Sequence, residues 1–144
     1  ERHEVTPALE DVVEATIYLS GLGFENGGLA AAHAVNDGFA QEPQAHGMYH
    51  GEKVAFGTLV QLVLEKAPQE ELEQVLAFLR DTGLPLTLAQ LGVKEIVPET
   101  LKKVAEAAVV PTQSTKNLSA DITAQEVYDA ILEADRIGRD YLAR

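Results

Sequence analysis

Residues 21–57 read GLGFENGGLAAAHAVNDGFAQEPQAHGMYHGEKVAFG, and two segments inside this stretch decide the fold. The first is GGLAAAHAV, residues 27–35; the second is HGEKVAFG, residues 50–57. Both are apolar enough to be buried, and each carries a histidine, His33 and His50. Around His33 the residues Leu29, Ala30, Ala31, Ala32, Ala34 and Val35 leave no polar face for two turns, so a helix here sits in the middle of its domain. Asn36, Asp37 and Gly38 end it. His50 and Gly51 open a second such helix, residues 52–66, in which only Thr58 and Gln61 are polar between positions 54 and 64. Gly51 reads as a place where a neighbouring backbone comes close, and the pair Gly27–Gly28 as the same at the start of the first helix. Two helices apolar on all sides need other helices around them.

Working outward, the periodicity supplies those helices. Thr6 caps a helix with Pro7 at its first position. Leu9, Val12, Val13, Thr16, Ile17 and Ser20 recur at helical spacing, which predicts one buried face ending at Gly21. The four glycines of residues 21–28 predict a loop. That loop lacks a dinucleotide fingerprint, because Asn26 stands where a third glycine is needed and a helix rather than a strand precedes it. Pro68 opens a helix with Leu72, Val75, Leu76 and Leu79 inward, and Gly83 with Pro85 stops it. Thr87 and Gln90 have the spacing of a capping box for a short helix ending near Gly92. Pro98 begins another, with Leu101, Val104, Ala105 and Ala108 inward. Residues 112–120 are polar and read as a mobile connection. Thr123 and Glu126 form a second capping box before a last helix with Val127, Ala130, Ile131, Ala134, Ile137 and Tyr141 on one face. No segment alternates with period two. The expectation is an all-α bundle of about six or seven helices, a single domain over residues 1–144.

Composition narrows the function. The chain of 144 residues is 46% apolar and carries 23 acidic against 11 basic residues, a net charge of −12. Nucleic acid and anionic membrane surfaces are excluded as partners, since both need a basic footprint. There is no cysteine, hence no disulfide, no thiolate metal site and no cysteine nucleophile. No apolar run is long enough for a membrane span. The charged start at Glu1, with no apolar segment and cleavage site after it, reads as no signal peptide, and the expected compartment is the cytoplasm.

The histidines carry the chemistry. A neutral imidazole is the commonest protein ligand for transition metals, so two of them on two helices make a candidate divalent-metal site. Read alone, each has a plainer explanation: His33 as a core histidine bonded to a carbonyl, His50 as a helix cap or loop residue. A catalytic zinc takes three protein ligands and an open position. Asp37, four residues beyond His33, can share its helix face. Glu25 and Glu52 are the other nearby oxygens, and both read as helix-end charges.

The run EATIYLSGLGFENGGLAAAHAVNDGF with YHGEKVAFGTLVQLVLE closely resembles the C-terminal helical domain of glycerol dehydrogenases, members of the metal-dependent, iron-containing alcohol dehydrogenases. The likeness continues through GLPLTLAQLGVKE and VAEAA to the last helix and covers essentially the whole chain. It implies zinc held by one aspartate and two histidines, the histidines matching His33 and His50. The family's aspartate lies upstream of the matched region, as does the α/β domain that binds NAD, so neither is expected in this chain. By resemblance Asp37 does not replace that aspartate, and His46 stands no nearer than the ligands' surroundings. The resemblance further implies glycerol or a similar small polyol as substrate of the parent enzyme. The chain by itself is then an inactive fragment, and its exposed apolar face predicts a homo-oligomer. Two other readings compete. One is a helical interaction or oligomerisation module with core histidines and no metal. The other is the chemistry of the related dehydroquinate synthases, which GGLAAAH and HGEKVAFG fit less well.

Overall fold

The computed structural model describes residues 4–144; the charged start at Glu1 lies outside them. Among the described residues the secondary structure is helical, with no strand. The elements are α1 (Pro7–Glu14), a π-helical segment (Ala15–Leu19), α2 (Ser20–Gly27), α3 (Ala31–Gly38), α4 (His50–Glu65), α5 (Gln69–Thr82), α6 (Pro98–Ala108) and α7 (Ala124–Leu142). Short 3₁₀ turns at Phe39–Gln41, Pro43–Ala45 and Ser114–Asn117 link them.

The bundle is built around α3, as its apolar sequence predicts. Ala31, Ala32, Ala34 and Val35 are buried, and α3 packs on both α4 and α6, while α7 lies against α4 and α6. Small residues set how tightly. A Cβ at Gly57 of α4 would collide with the carbonyl of Ala32, and one at Gly38 of α3 with the carbonyl of Val104. Side chains on α3 are therefore held at fixed positions relative to α4. Around this centre Phe39, Phe56, Leu59, Leu76, Leu101 and Ile131 fill the core. The predicted stripes of α5, α6 and α7 face inward: Leu72, Leu76 and Leu79; Leu101, Val104, Ala105 and Ala108; Val127, Ala130, Ile131 and Ala134. Thr123 and Glu126 form the predicted capping box of α7, the Glu126 carboxylate accepting from Thr123 N–H at 2.8 Å.

Four expectations are corrected. Residues 21–28 are not a loop: the helix runs on through Gly21 and Gly23 to Gly27, and the turn comes at Gly28. Glycine weakens a helix by about 1 kcal/mol without forbidding it. The stripe of Leu9, Val12, Val13 and Ile17 is present but exposed, because nothing among the described residues buries it. Thr87–Gln90 makes a capped turn and no helix, with Gln90 N–H donating to Thr87 Oγ1 and the Gln90 amide oxygen accepting from Leu86 N–H. Residues 112–120 are pinned to the bundle: Thr115 is buried, and Ser114 and Asn117 bond to the backbone ahead of α3. Their partners lie 84 and 88 positions away, beyond the reach of local pattern.

Candidate metal centre

His33 is the third residue of α3, and His50 is the first of α4. The two rings lie together, with centroids 5.5 Å apart and planes tilted by 48°. Two imidazoles bound to one tetrahedral zinc, at Zn–N of about 2.0–2.1 Å, stand with centroids roughly 5 Å apart, so the spacing fits a shared ion. His33 is half-buried and His50 exposed, which leaves the pair open on one side.

Several contacts fix His33. Ahead of α3 the carbonyls of Leu29 and Ala30 accept from Asn117 Nδ2 at 2.8 Å and Ser114 Oγ at 2.7 Å. The Ala32 N–H donates to Gln61 Oε1 of α4 at 3.1 Å, satisfying a donor that the first turn of a helix leaves open. His50 is fixed by the start of α4, where the Glu52 carboxylate accepts from Tyr49 N–H at 2.6 Å. Gly51, expected to admit a close backbone, faces open space. Gly27 does too, and Gly28 serves the backbone turn at φ 70° rather than a close packing. The close approach that matters is at Gly57.

The other sequence candidates are exposed or bonded elsewhere. Glu52 is engaged in the helix cap, and Glu25 is an exposed residue of α2. Asp37 accepts from Asn36 Nδ2 at 2.9 Å. The His46 ring bonds the Ala40 carbonyl at 3.0 Å, and it alone of the three histidines in this stretch is so engaged with the protein among the described residues. No group of three histidine, cysteine, aspartate or glutamate side chains is placed to hold a metal among the described residues. Asn36 was not singled out by sequence; it is buried on α3 with its Oδ1 unpartnered among the described residues. Nothing in the local pattern distinguishes it from a helix-ending asparagine.

Burial, and next the neighbouring His50, hold the His33 imidazole below its ordinary pKa, with Asp37 opposing. The neutral ring, which is the metal-binding form, is thus favoured. A histidine whose folded pKa lies below its unfolded value near 6.5 leaves the unfolded chain binding more protons in that window. Stability should be complete above about pH 6.5 and decline as pH falls through it toward the lowered value. The urea midpoint should drop from pH 7.5 to pH 5.5, and His33→Gln should flatten that drop. An unchanged slope in the variant would remove His33 as its source.

No protein-family profile matches the chain. Individual relatives do. A glycerol dehydrogenase of Escherichia coli O6:H1 is 57% identical over 99% of this chain. The chain belongs to the glycerol dehydrogenase family. It spans about two fifths of that relative's length, 39%. Two solved structures agree with the fold. A probable glycerol dehydrogenase from Sinorhizobium meliloti overlays with a TM-score of 0.90, covering 96% of this chain and 39% of the other at 46% identity. A glycerol dehydrogenase from Schizosaccharomyces pombe gives 0.90, covering 95% and 35% at 43% identity. No helix among the described residues is long and apolar enough to cross a membrane.

Proposed function

We propose that this chain is the C-terminal, metal-holding part of an NAD-dependent glycerol dehydrogenase, acting in the cytoplasm, with His33 and His50 as two ligands of a catalytic zinc. The observation that carries the reading is the 5.5 Å pairing of two imidazoles from two helices whose separation is set by the Gly57–Ala32 crossing. A core-histidine module is the weaker reading, because it needs buried, satisfied rings, and these are half-buried and exposed.

Zinc held there would supply Lewis-acid polarisation of a polyol hydroxyl, and NAD would accept the hydride. The chain's own part is narrower. His33 and His50 offer neutral nitrogens on one side of an open site. Gln61, Ser114 and Asn117 hold the backbone that presents His33, an orienting role of the kind that outer partners play for ligands. The alanines of α3 exclude water from behind the ring, which strengthens any field acting at the site. The remaining ligand and the nicotinamide pocket belong, on this reading, to the part of the protein outside these residues.

A mixing experiment tests it. This chain alone should show no NAD-dependent oxidation of glycerol. Addition of the separately expressed remainder of the enzyme should restore some. Glycerol oxidation by these 144 residues unaided would overturn the reading.

A further inference from the structure

Asn36 and Asp37 follow His33 by one turn of α3, and each stands where local stability does not explain it. Asn36 is only 7% exposed, and its Oδ1 is buried without a partner among the described residues. An amide oxygen left so is a cost to the fold that a leucine of similar size would not carry. Its Nδ2 donates to Asp37 Oδ1 at 2.9 Å, and this bond sets which way the amide faces. Turned over, the amide would put its own oxygen against the carboxylate. Asp37 is exposed in the last turn of α3, where the helix dipole favours a cation, and aspartate is among the poorer helix formers. A costly buried amide therefore holds a carboxylate that is itself badly placed for the helix.

His33 is the neighbour that accounts for the pair. Residues four apart on a helix are neighbours on its surface, and helical side chains lean toward the preceding turn. The charge of Asp37 reaches the His33 ring, where it opposes the effect of burial. That ring makes no hydrogen bond among the described residues, whereas the His46 ring is bonded to a carbonyl. A metal takes one nitrogen of a ligand histidine, and the other nitrogen, as N–H, is almost always given to a carboxylate, a carbonyl or water. Asp37 has an oxygen to spare, because Asn36 occupies Oδ1 and Oδ2 has no partner among the described residues. It does not join the two histidines as a third ligand.

We propose that Asp37 is a positioning residue: its free oxygen accepts the N–H of the His33 nitrogen turned away from the metal, and Asn36 is buried to hold the carboxylate for that contact. The proposal rests on reading His33 and His50 as zinc ligands. It adds no ligand to that site; it supplies the acceptor that fixes the tautomer and orientation of one.

Zinc titration near pH 7.5, with urea unfolding alongside, tests it on this chain. Asp37→Ala changes an exposed side chain and should keep the parent's urea midpoint while weakening zinc binding roughly tenfold or more. In the zinc-loaded parent a His33 ring N–H should appear in nitrogen-edited NMR as a slowly exchanging proton, and Asp37→Ala should abolish that signal. Asn36→Leu removes the orphan oxygen together with the amide. Its urea midpoint should hold or rise while its zinc binding weakens, whereas a merely structural residue would move both the same way. Where Asn36→Leu does not fold, Asp37→Ala decides. Zinc binding by Asp37→Ala within about twofold of the parent would overturn the proposal. So would a loss that disappears in about 0.5 M salt with the ring N–H unaltered, since that is the mark of a remote, screened charge. The two readings fail separately: no zinc on the parent chain fails the metal site and the proposal with it, and zinc bound equally by parent and Asp37→Ala fails the proposal alone.

Discussion

His50→Ala in the full-length protein that carries this chain should lower NAD-dependent glycerol oxidation by more than about 100-fold. Loss of an outer partner of a metal ligand costs about 10–100-fold, and loss of the ligand itself should exceed it. His50 sits exposed at the first position of α4 and is not one of the residues of the hydrophobic core. The variant should therefore keep its helical spectrum and thermal midpoint while losing activity, and a large excess of zinc should restore part of it. His33→Ala should lose as much activity with some loss of stability, since its ring is half-buried among the alanines of α3. Activity within a few-fold of the parent in both variants would contradict the assignment of this pair.

The crossing of α3 and α4 gives the second large effect. Gly57 lies against the backbone of Ala32, and backbone cannot step aside as a flexible side chain can. Gly57→Ala should destabilise the chain by about 1–3 kcal/mol, the usual range for overpacking, and Gly57→Val by more. Because His33 and His50 ride on the same two helices, the strain should also part the rings and weaken zinc binding. Gly51→Ala is the control: it adds a methyl to open space in the same helix and should stabilise by about 0.5–1 kcal/mol. Urea unfolding of the three variants measures this. Equal stability for Gly57→Ala and the parent would mean that the crossing has slack.

The same residues show how far the sequence could be read. The inward faces of α5, α6 and α7 follow from the 3.6-residue period, because each packs within this chain. The period of α1 was equally clear, yet its face is exposed: periodicity reports that a face seeks cover and is silent on which chain supplies it. Glycine spacing misled at residues 21–28, where flanking helix carried three glycines along. At Thr87 the cap was legible but the helix after it was not formed, since the Gln90 side chain closes on Leu86 instead. For the site, two apolar helices each bearing one histidine indicated His33 and His50. Their juxtaposition depends on Gly57 meeting Ala32, and the support of α3 on Ser114 and Asn117. Such long-range contacts leave no local trace.

Calorimetric titration of this chain with zinc near pH 7.5 reads out whether His33 and His50 together bind a divalent metal. One zinc per chain is the expected result. Binding should be weak, because two neutral donors fall short of a three-ligand site, and should fade as pH falls, since only a neutral imidazole binds the metal. It should vanish in the His33→Ala, His50→Ala double variant and persist in His46→Ala. Absence of binding by the parent chain, or binding undiminished in the double variant, would contradict it.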